Sequence, residues 1–301
     1  MALRILPLLV FGSAILFLLV KSDDPRIRFA GVEAQPLFQP IHQVDIAFMG
    51  TSRMRRAIYT PFIESALANQ ESKPVIWDVA FPGTGMGAEI VYLEALIERH
   101  QVRKVYMHYY HTSGQKKIHR HFAKFATYQD LLFGPLPEYN LASRWQIRTS
   151  MMAEKLDHTL IQLLSAAPDS EHVPPDRLYD DSLPRYIKAE GHAITNKMLK
   201  KARAEFRAWK PDKGWHARNR YYLKRFLRKA RALNIEVVFL DLPKVYMKPL
   251  SDKHMENVRR EFDTEYISAF AVIDKATDYG DRGHLNIRGA LKIGPLILES
   301  R

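Results

Sequence analysis

Four short runs dominated by apolar, β-branched and aromatic residues limit what this chain can fold into: Val44–Met49, Val75–Ala80, Lys104–Tyr109 and Ile235–Leu240. Runs of this length and make-up are expected of strands covered on both faces, as in a parallel sheet. Helical patterns separate the early runs. Met54–Asn69 and Ala88–His100 carry apolar residues at helical spacing, with Ile90, Leu93 and Ile97 on one face of the second. Arg218–Leu233 reads as a basic amphipathic helix leading straight into the fourth run. Strand–helix alternation of this kind predicts a doubly wound α/β layer fold. Phe270–Ile273 is a candidate fifth, shorter strand. With 47% hydrophobic residues, the 301-residue chain has material for a sizeable core.

The third and fourth runs are separated by roughly 125 residues, far more than an ordinary crossover needs. About 111–215 is therefore expected to be a largely helical insertion or cap, with helix-like pieces at His119–Leu132 and Ala142–Ala166 and a Pro-rich loop after them. At the amino end, Ile5–Val20 contains no charged residue. It is slightly shorter than the ~20 residues that span a bilayer, and Ala2 and Leu3 extend it. No small residues mark a cleavage site in Phe17–Asp24. The expectation is an uncleaved single-pass membrane helix over 1–22 and a tether over 23–43, with a cleaved signal peptide and a buried helix as alternatives. Arg4 lies on one side, and Lys21, Arg26 and Arg28 on the other, so charge counting does not assign an orientation. The absence of cysteine excludes disulfides and thiolate metal sites.

Open parallel sheets gather ligands where strands end and helices begin. Gly50-Thr51-Ser52-Arg53 stands at that point after the first run, and Asp281-x-x-His284 stands near the end of the chain. A serine hydroxyl is a poor nucleophile until a base lies within hydrogen-bond reach and a third group fixes the tautomer of that base. Ser52, His284 and Asp281 are the residue types for these three tasks. Asp281 is close enough in sequence to reach Nδ1 of His284 and leave Nε2 facing Ser52. At a helix start, free N–H groups would also stabilise an oxyanion. The plain alternatives are that Ser52 is a helix N-cap and that Asp281 and His284 are loop residues, with Asn286 capping the final helix.

Residues 45–54, 77–85 and 281–290 together resemble the SGNH (GDSL-like) hydrolase superfamily, most nearly its membrane-anchored bacterial branch that includes the D-alanyl-lipoteichoic-acid transfer protein and polysaccharide O-acetylation proteins. Gly50-Thr51-Ser52 matches the first block, Gly83 the glycine of the second, and Asp281 and His284 the fifth. The resemblance implies a three-layer α/β/α flavodoxin-like sheet over 44–301. It also implies a catalytic set of Ser52, Asp281 and His284, an oxyanion hole from the N–H groups of Ser52 and Gly83, and no cofactor or metal. The third block departs from the pattern: His108–Gly114 contains no asparagine, so that oxyanion donor is missing or replaced by His108, His111 or Ser113. The implied function is O-acyl transfer or deacylation on a cell-envelope or exported polysaccharide through an acyl-enzyme. The implied location is the inner membrane, with the body extracytoplasmic and a membrane-bound O-acyltransferase as a candidate partner. The rivals are an inactive scaffold that binds such an acyltransferase or a glycan, and an anchored lipid or small-ester esterase.

Arg53, Arg55 and Arg56 crowd a predicted helix start, where cations oppose the macrodipole. They are read either as contacts to an anionic substrate or as solvated side chains. His108, His111, His119 and His121 lack carboxylates at ligand spacing, so His108 and His111 are read as polar rim residues and not as metal ligands. Asn286 is added as a candidate substrate contact. Lys197–Arg231 holds fourteen Lys and Arg against Glu205 and Asp212, so 14 − 2 = +12, equal to the charge of the whole chain. That surplus favours an anionic glycan or membrane surface, and nucleic acid less.

Overall fold

The computed structural model describes residues 13–29, 37, 43–68, 74–80, 86–109, 120–136, 139–165, 194–207, 217–273 and 276–300. Strands β1 (Gln43–Met49), β2 (Ile76–Asp78), β3 (Gln101–His108), β4 (Glu236–Asp241) and β5 (Glu265–Ser268) form one sheet in the order β2-β1-β3-β4-β5. Every pairing in it is parallel. The order reverses between β1 and β3, the place where open sheets of this type build sites.

Side chains alternate across the sheet and supply two cores. Met49, Val105, Met107 and Phe239 join one cluster, while Phe48, Tyr106, Val238 and Leu240 join the other. Helices α3 (Met86–Arg99), α4 (Leu141–Leu164) and α6 (Ala217–Ala232) cover the first face, and α1 (Ser52–Ala57), α2 (Thr60–Leu67) and α8 (Ile287–Glu299) cover the second. Between them in sequence lie α5 (Asn196–Arg207), before α6, and α7 (Asp252–Phe262), before β5.

Three expectations are corrected. The helix predicted over Met54–Asn69 is two helices, α1 and α2, separated at Ile58 and Tyr59. Pro61 explains the break, because in a continuous helix it would remove an N–H bond to the carbonyl of Ala57 and clash with it, and α1 ends at Ala57. The piece predicted over His119–Leu132 is likewise two short helices, Arg120–Phe125 and Tyr128–Phe133, the second capped by Thr127. The fifth strand is Glu265–Ser268, and Phe270 falls in a 3₁₀ turn, Ala269–Ala271.

Residues 13–22 are helical, with Leu16, Phe17 and Val20 exposed. Among the described residues no helix is long and apolar enough to cross a membrane. Residues 1–12 and the Pro-rich loop after α4 lie outside them. Ser22–Phe29, where the stretch read as a membrane helix meets the one read as a tether, packs on the insertion. Buried Lys155 of α4 donates to the carbonyls of Ser22 (2.8 Å) and Ala126 (2.7 Å) and pairs with Asp23 (3.2 Å). Arg28 Nε donates to the Phe125 carbonyl at 2.7 Å, and Phe29 stacks edge-on against Tyr92.

Candidate active site

The site starts at the end of β1. Gly50 is required there by crowding: a Cβ at this position would lie 2.6 Å from Cβ of His108 and 2.9 Å from Cβ of Met54. Thr51 then caps α1, its Oγ1 accepting from the N–H of Arg53 at 3.3 Å. Ser52, the first helical residue, is therefore not the cap. Its hydroxyl is left for a longer-range contact: Ser52 Oγ lies 2.8 Å from Nε2 of His284, 232 positions away.

The loop that brings His284 there is built locally. Tyr279 and Leu285 form an antiparallel bridge, the N–H of Gly280 donates to the carbonyl of His284 (3.0 Å), and the N–H of Val245 donates to the carbonyl of Arg282 (3.3 Å). Within the loop Asp281 Oδ1 accepts from the N–H groups of Gly283 (2.9 Å) and His284 (3.1 Å), an Asx-type turn that explains aspartate at this position. The same carboxylate meets Nδ1 of His284 at 2.8 Å and 3.0 Å from its two oxygens. A carboxylate has only acceptors, so Nδ1 carries the proton and Nε2 is left to accept from Ser52. Asp281 and His284 are each about a quarter exposed (23% and 24%), so the relay opens to solvent at one edge.

Sequence reading missed the partner of the second Asp281 oxygen. Arg56 Nη1 donates to Oδ2 at 3.0 Å, with both side chains 23% exposed. The signal was available, since three arginines in the first turns of a helix break the dipole rule and call for a fixed acid nearby. Arg53 is also used inside the fold, donating to the carbonyl of Leu242 at 3.0 Å. Arg55 is half-buried on the same short helix.

Two other candidates are corrected. Asn286 is fully buried and caps α8: its Oδ1 accepts from the N–H of Gly289 (3.1 Å) and its Nδ2 donates to the carbonyl of Thr277 (2.8 Å). Its side chain is thus committed inside the fold and not offered to a ligand. His108 ends β3 and has no exposed surface, because it packs behind Gly50 instead of lining a rim. Gly83 and His111 lie outside the described residues. Among the described residues no group of three or more His, Asp or Glu is arranged to hold a metal ion.

Beside the loop lies a cavity of about 250 Å³, walled by the segment after β4 and by Phe270, Ile273, Ala276 and Tyr279. A second cavity, of about 880 Å³, opens at the amino ends of β1, β3 and β4, the opposite end of the sheet from Ser52. The charge of Lys244, in the wall of the smaller cavity, is disfavoured by burial and then by the positive Arg53 and Arg282, while Glu205 opposes this. Glu205 comes from α5 and pairs with Arg282 at 2.7 Å, tying the insertion to the loop.

No protein-family model matches the chain, and no curated protein matches it. Among solved structures it is similar to a Streptococcus pneumonia protein provisionally assigned as a platelet activating factor. The two share 12% identity with a TM-score of 0.40, over 97% of this chain and 98% of that one.

Proposed function

We propose that this chain is a serine-dependent acyl-transfer enzyme of the SGNH type, moving or removing an O-acyl group on a cell-envelope or exported polysaccharide. The observation that carries this reading is the relay from Ser52 Oγ to His284 Nε2 (2.8 Å) and from His284 Nδ1 to Asp281 (2.8 Å). As Ser52 Oγ bonds to the ester carbonyl carbon, its proton passes to Nε2, and the imidazolium is stabilised by Asp281. The negative charge developing on the carbonyl oxygen faces the N–H of Ser52, which in the first helical turn has no intrahelical acceptor, and by the resemblance the N–H of Gly83. Collapse expels the alcohol with the proton from Nε2 and leaves an acyl-serine. Water or a sugar hydroxyl, deprotonated by the same nitrogen, then releases or transfers the acyl group.

The apolar Ile5–Val20 segment supports a membrane anchor, and the docked Ser22–Phe29 stretch would hold the body close to it. The extracytoplasmic location and an acyltransferase partner rest on the resemblance alone. The test is acetyl release from, or transfer to, O-acetylated envelope polysaccharide by the full chain in detergent micelles. Release or transfer that disappears in Ser52→Ala supports the reading. Equal rates in Ser52→Ala and the native chain, or none above buffer in either, would reject it.

A further inference from the structure

We infer that the carboxyl end of α4 is a second membrane contact, its exposed last turn lying in the interface of the bilayer that the amino-terminal segment enters. The inference rests on the membrane-anchor reading of Ile5–Val20 and adds a lipid-binding surface within the insertion.

Exposure singles out this turn. Leu160, Ile161, Leu163 and Leu164 all face solvent. A lone surface leucine is ordinary, but apolar side chains crowded into consecutive positions form a patch that calls for an apolar partner. The sequence continues in the same character, since Thr159–Pro168 contains no charged residue. The earlier turns of α4 differ: Gln146, Thr149, Ser150 and Asp157 are exposed there. Arg144, Arg148 and Lys155 lie on the same helix, so α4 as a whole is unsuited to cross a bilayer and only its end is suited to enter one.

Position identifies the partner as lipid. Residues 13–22 are helical and continue the uncharged Ile5–Val20 stretch, with Leu16, Phe17 and Val20 exposed. Immediately after them the chain is pinned to α4. The carbonyl of Ser22 accepts from Lys155 at 2.8 Å, and His158 Nε2 donates to the carbonyl of Ile27 at 2.9 Å. At 1.5 Å per helical residue, Leu160 and Leu164 stand about 8 and 14 Å beyond Lys155 along the axis. Val20 is two residues from Ser22. The end of α4 is thus held within roughly 25 Å of the last exposed residue of the apolar stretch, less than the ~30 Å thickness of a hydrocarbon core. Lys21 and Arg26, both exposed, mark the boundary. Lys21 Nζ lies 5.9 Å over the ring of Phe17, the pose of a cation whose stem follows apolar surface while its charge reaches headgroup phosphates.

A second copy of this chain is a poorer occupant. One turn of aliphatic side chains presents at most a few hundred Å², whereas a stable protein interface buries about 800 Å² a side. A bilayer sets no such threshold, because each apolar group that enters it adds to binding. Two contacts in place of one also fix the tilt of the body over the membrane, which a single anchor leaves free.

The chain has no cysteine, so a single label can be placed at any position. The experiment puts a nitroxide on Phe17→Cys, Asp157→Cys, Leu160→Cys and Leu164→Cys of the full chain, reconstituted in vesicles of equal parts phosphatidylcholine and phosphatidylglycerol. Circular dichroism checks the fold of each variant. Power-saturation electron paramagnetic resonance then compares collisions with oxygen, which partitions into lipid, and with a neutral nickel chelate, which stays in water. The oxygen-to-nickel ratio at positions 160 and 164 should lie close to that at 17 and exceed that at 157 severalfold. If 160 and 164 read like 157 while 17 reads lipid, the second contact is overturned and the anchor stands. Labels at 160 and 164 that are shielded from both reagents mean that protein covers the turn, which overturns it as well. A label at 17 that reads water takes down the anchor reading and this inference with it.

Discussion

Two cationic regions of this chain look alike in sequence and differ in use. One is the Arg53, Arg55, Arg56 cluster beside Ser52, and the other is the basic helix α6. In both, the balancing acids come from distant parts of the chain. Arg225 of α6 lies between Glu94 and Asp130, whose side chains are only 7% and 9% exposed, and pairs with both. Arg220 and Lys224 pair with Glu261, and Lys229 pairs with Glu98. None of these acids is hydrogen-bonded to Ser52, Asp281 or His284. Asp281 differs, because the carboxylate that takes Arg56 also takes His284, which takes Ser52. A cation cluster therefore points to chemistry when its acid also holds the base of a nucleophile, and to scaffold when it holds cations alone. Of the fourteen Lys and Arg in Lys197–Arg231, Arg220, Lys224, Arg225, Lys229 and Arg231 are taken up by such scaffold pairs.

Substitutions should separate the two regions by what they damage. The largest effect is expected at His284: changing it to Ala should lower the rate of Ser52 acylation about 10³–10⁶-fold with little change in melting temperature, read by ester turnover and calorimetry. Arg225→Met should do the reverse. It leaves two buried carboxylates without their cation, so denaturant unfolding should show a loss of about 3–5 kcal/mol, while acylation per folded molecule stays near native.

Lys155 gives a pH signature for the scaffold. Burial, opposed by Asp23, brings its ammonium down from the ordinary 10.5 to about 8. Between those values the unfolded chain holds a proton that the folded chain has released, so stability rises with pH. Relative to Lys155→Met, the native chain should gain up to about 3 kcal/mol from pH 8 to 10.5 in unfolding experiments. Parallel pH curves for the two proteins would contradict the buried-lysine account. The smallest effect is expected at Arg56, whose pair with Asp281 is partly solvated. Arg56→Met should lower kcat/KM about tenfold and unfolding free energy by less than ~1 kcal/mol, with partial recovery in Arg56→Lys. A stability loss as large as that of Arg225→Met would erase the distinction drawn between the regions.

The central strands were legible because burial on both faces demands apolar runs, and β1, β3 and β4 overlap the runs that predicted them. Of the two edge strands, β2 falls inside the run Val75–Ala80, whereas β5 was not legible: it reads Glu-Tyr-Ile-Ser, with Tyr266 buried and Glu265 exposed, and needs no apolar run to form. The apolar Phe270–Ile273 segment contributes to a cavity wall and a core instead. The Asp281–His284 contact was legible because an Asx-type turn is local. The Arg56–Asp281 pair, 225 positions apart, had only an indirect trace in the misplaced cations. Pro61, at the start of α2, is the sequence mark of the break between α1 and α2, and it stands among apolar residues at helical spacing.

The central claim is that the relay makes Ser52, among the serines of this chain, the nucleophile. The most direct measurement is the mass of the full chain after treatment with a fluorophosphonate, followed by peptide mapping of the adduct. The account predicts one adduct per chain, on Ser52, forming at least about a thousand times more slowly in His284→Ala. Labelling at another residue, or at Ser52 with the same rate when His284 is absent, would contradict it.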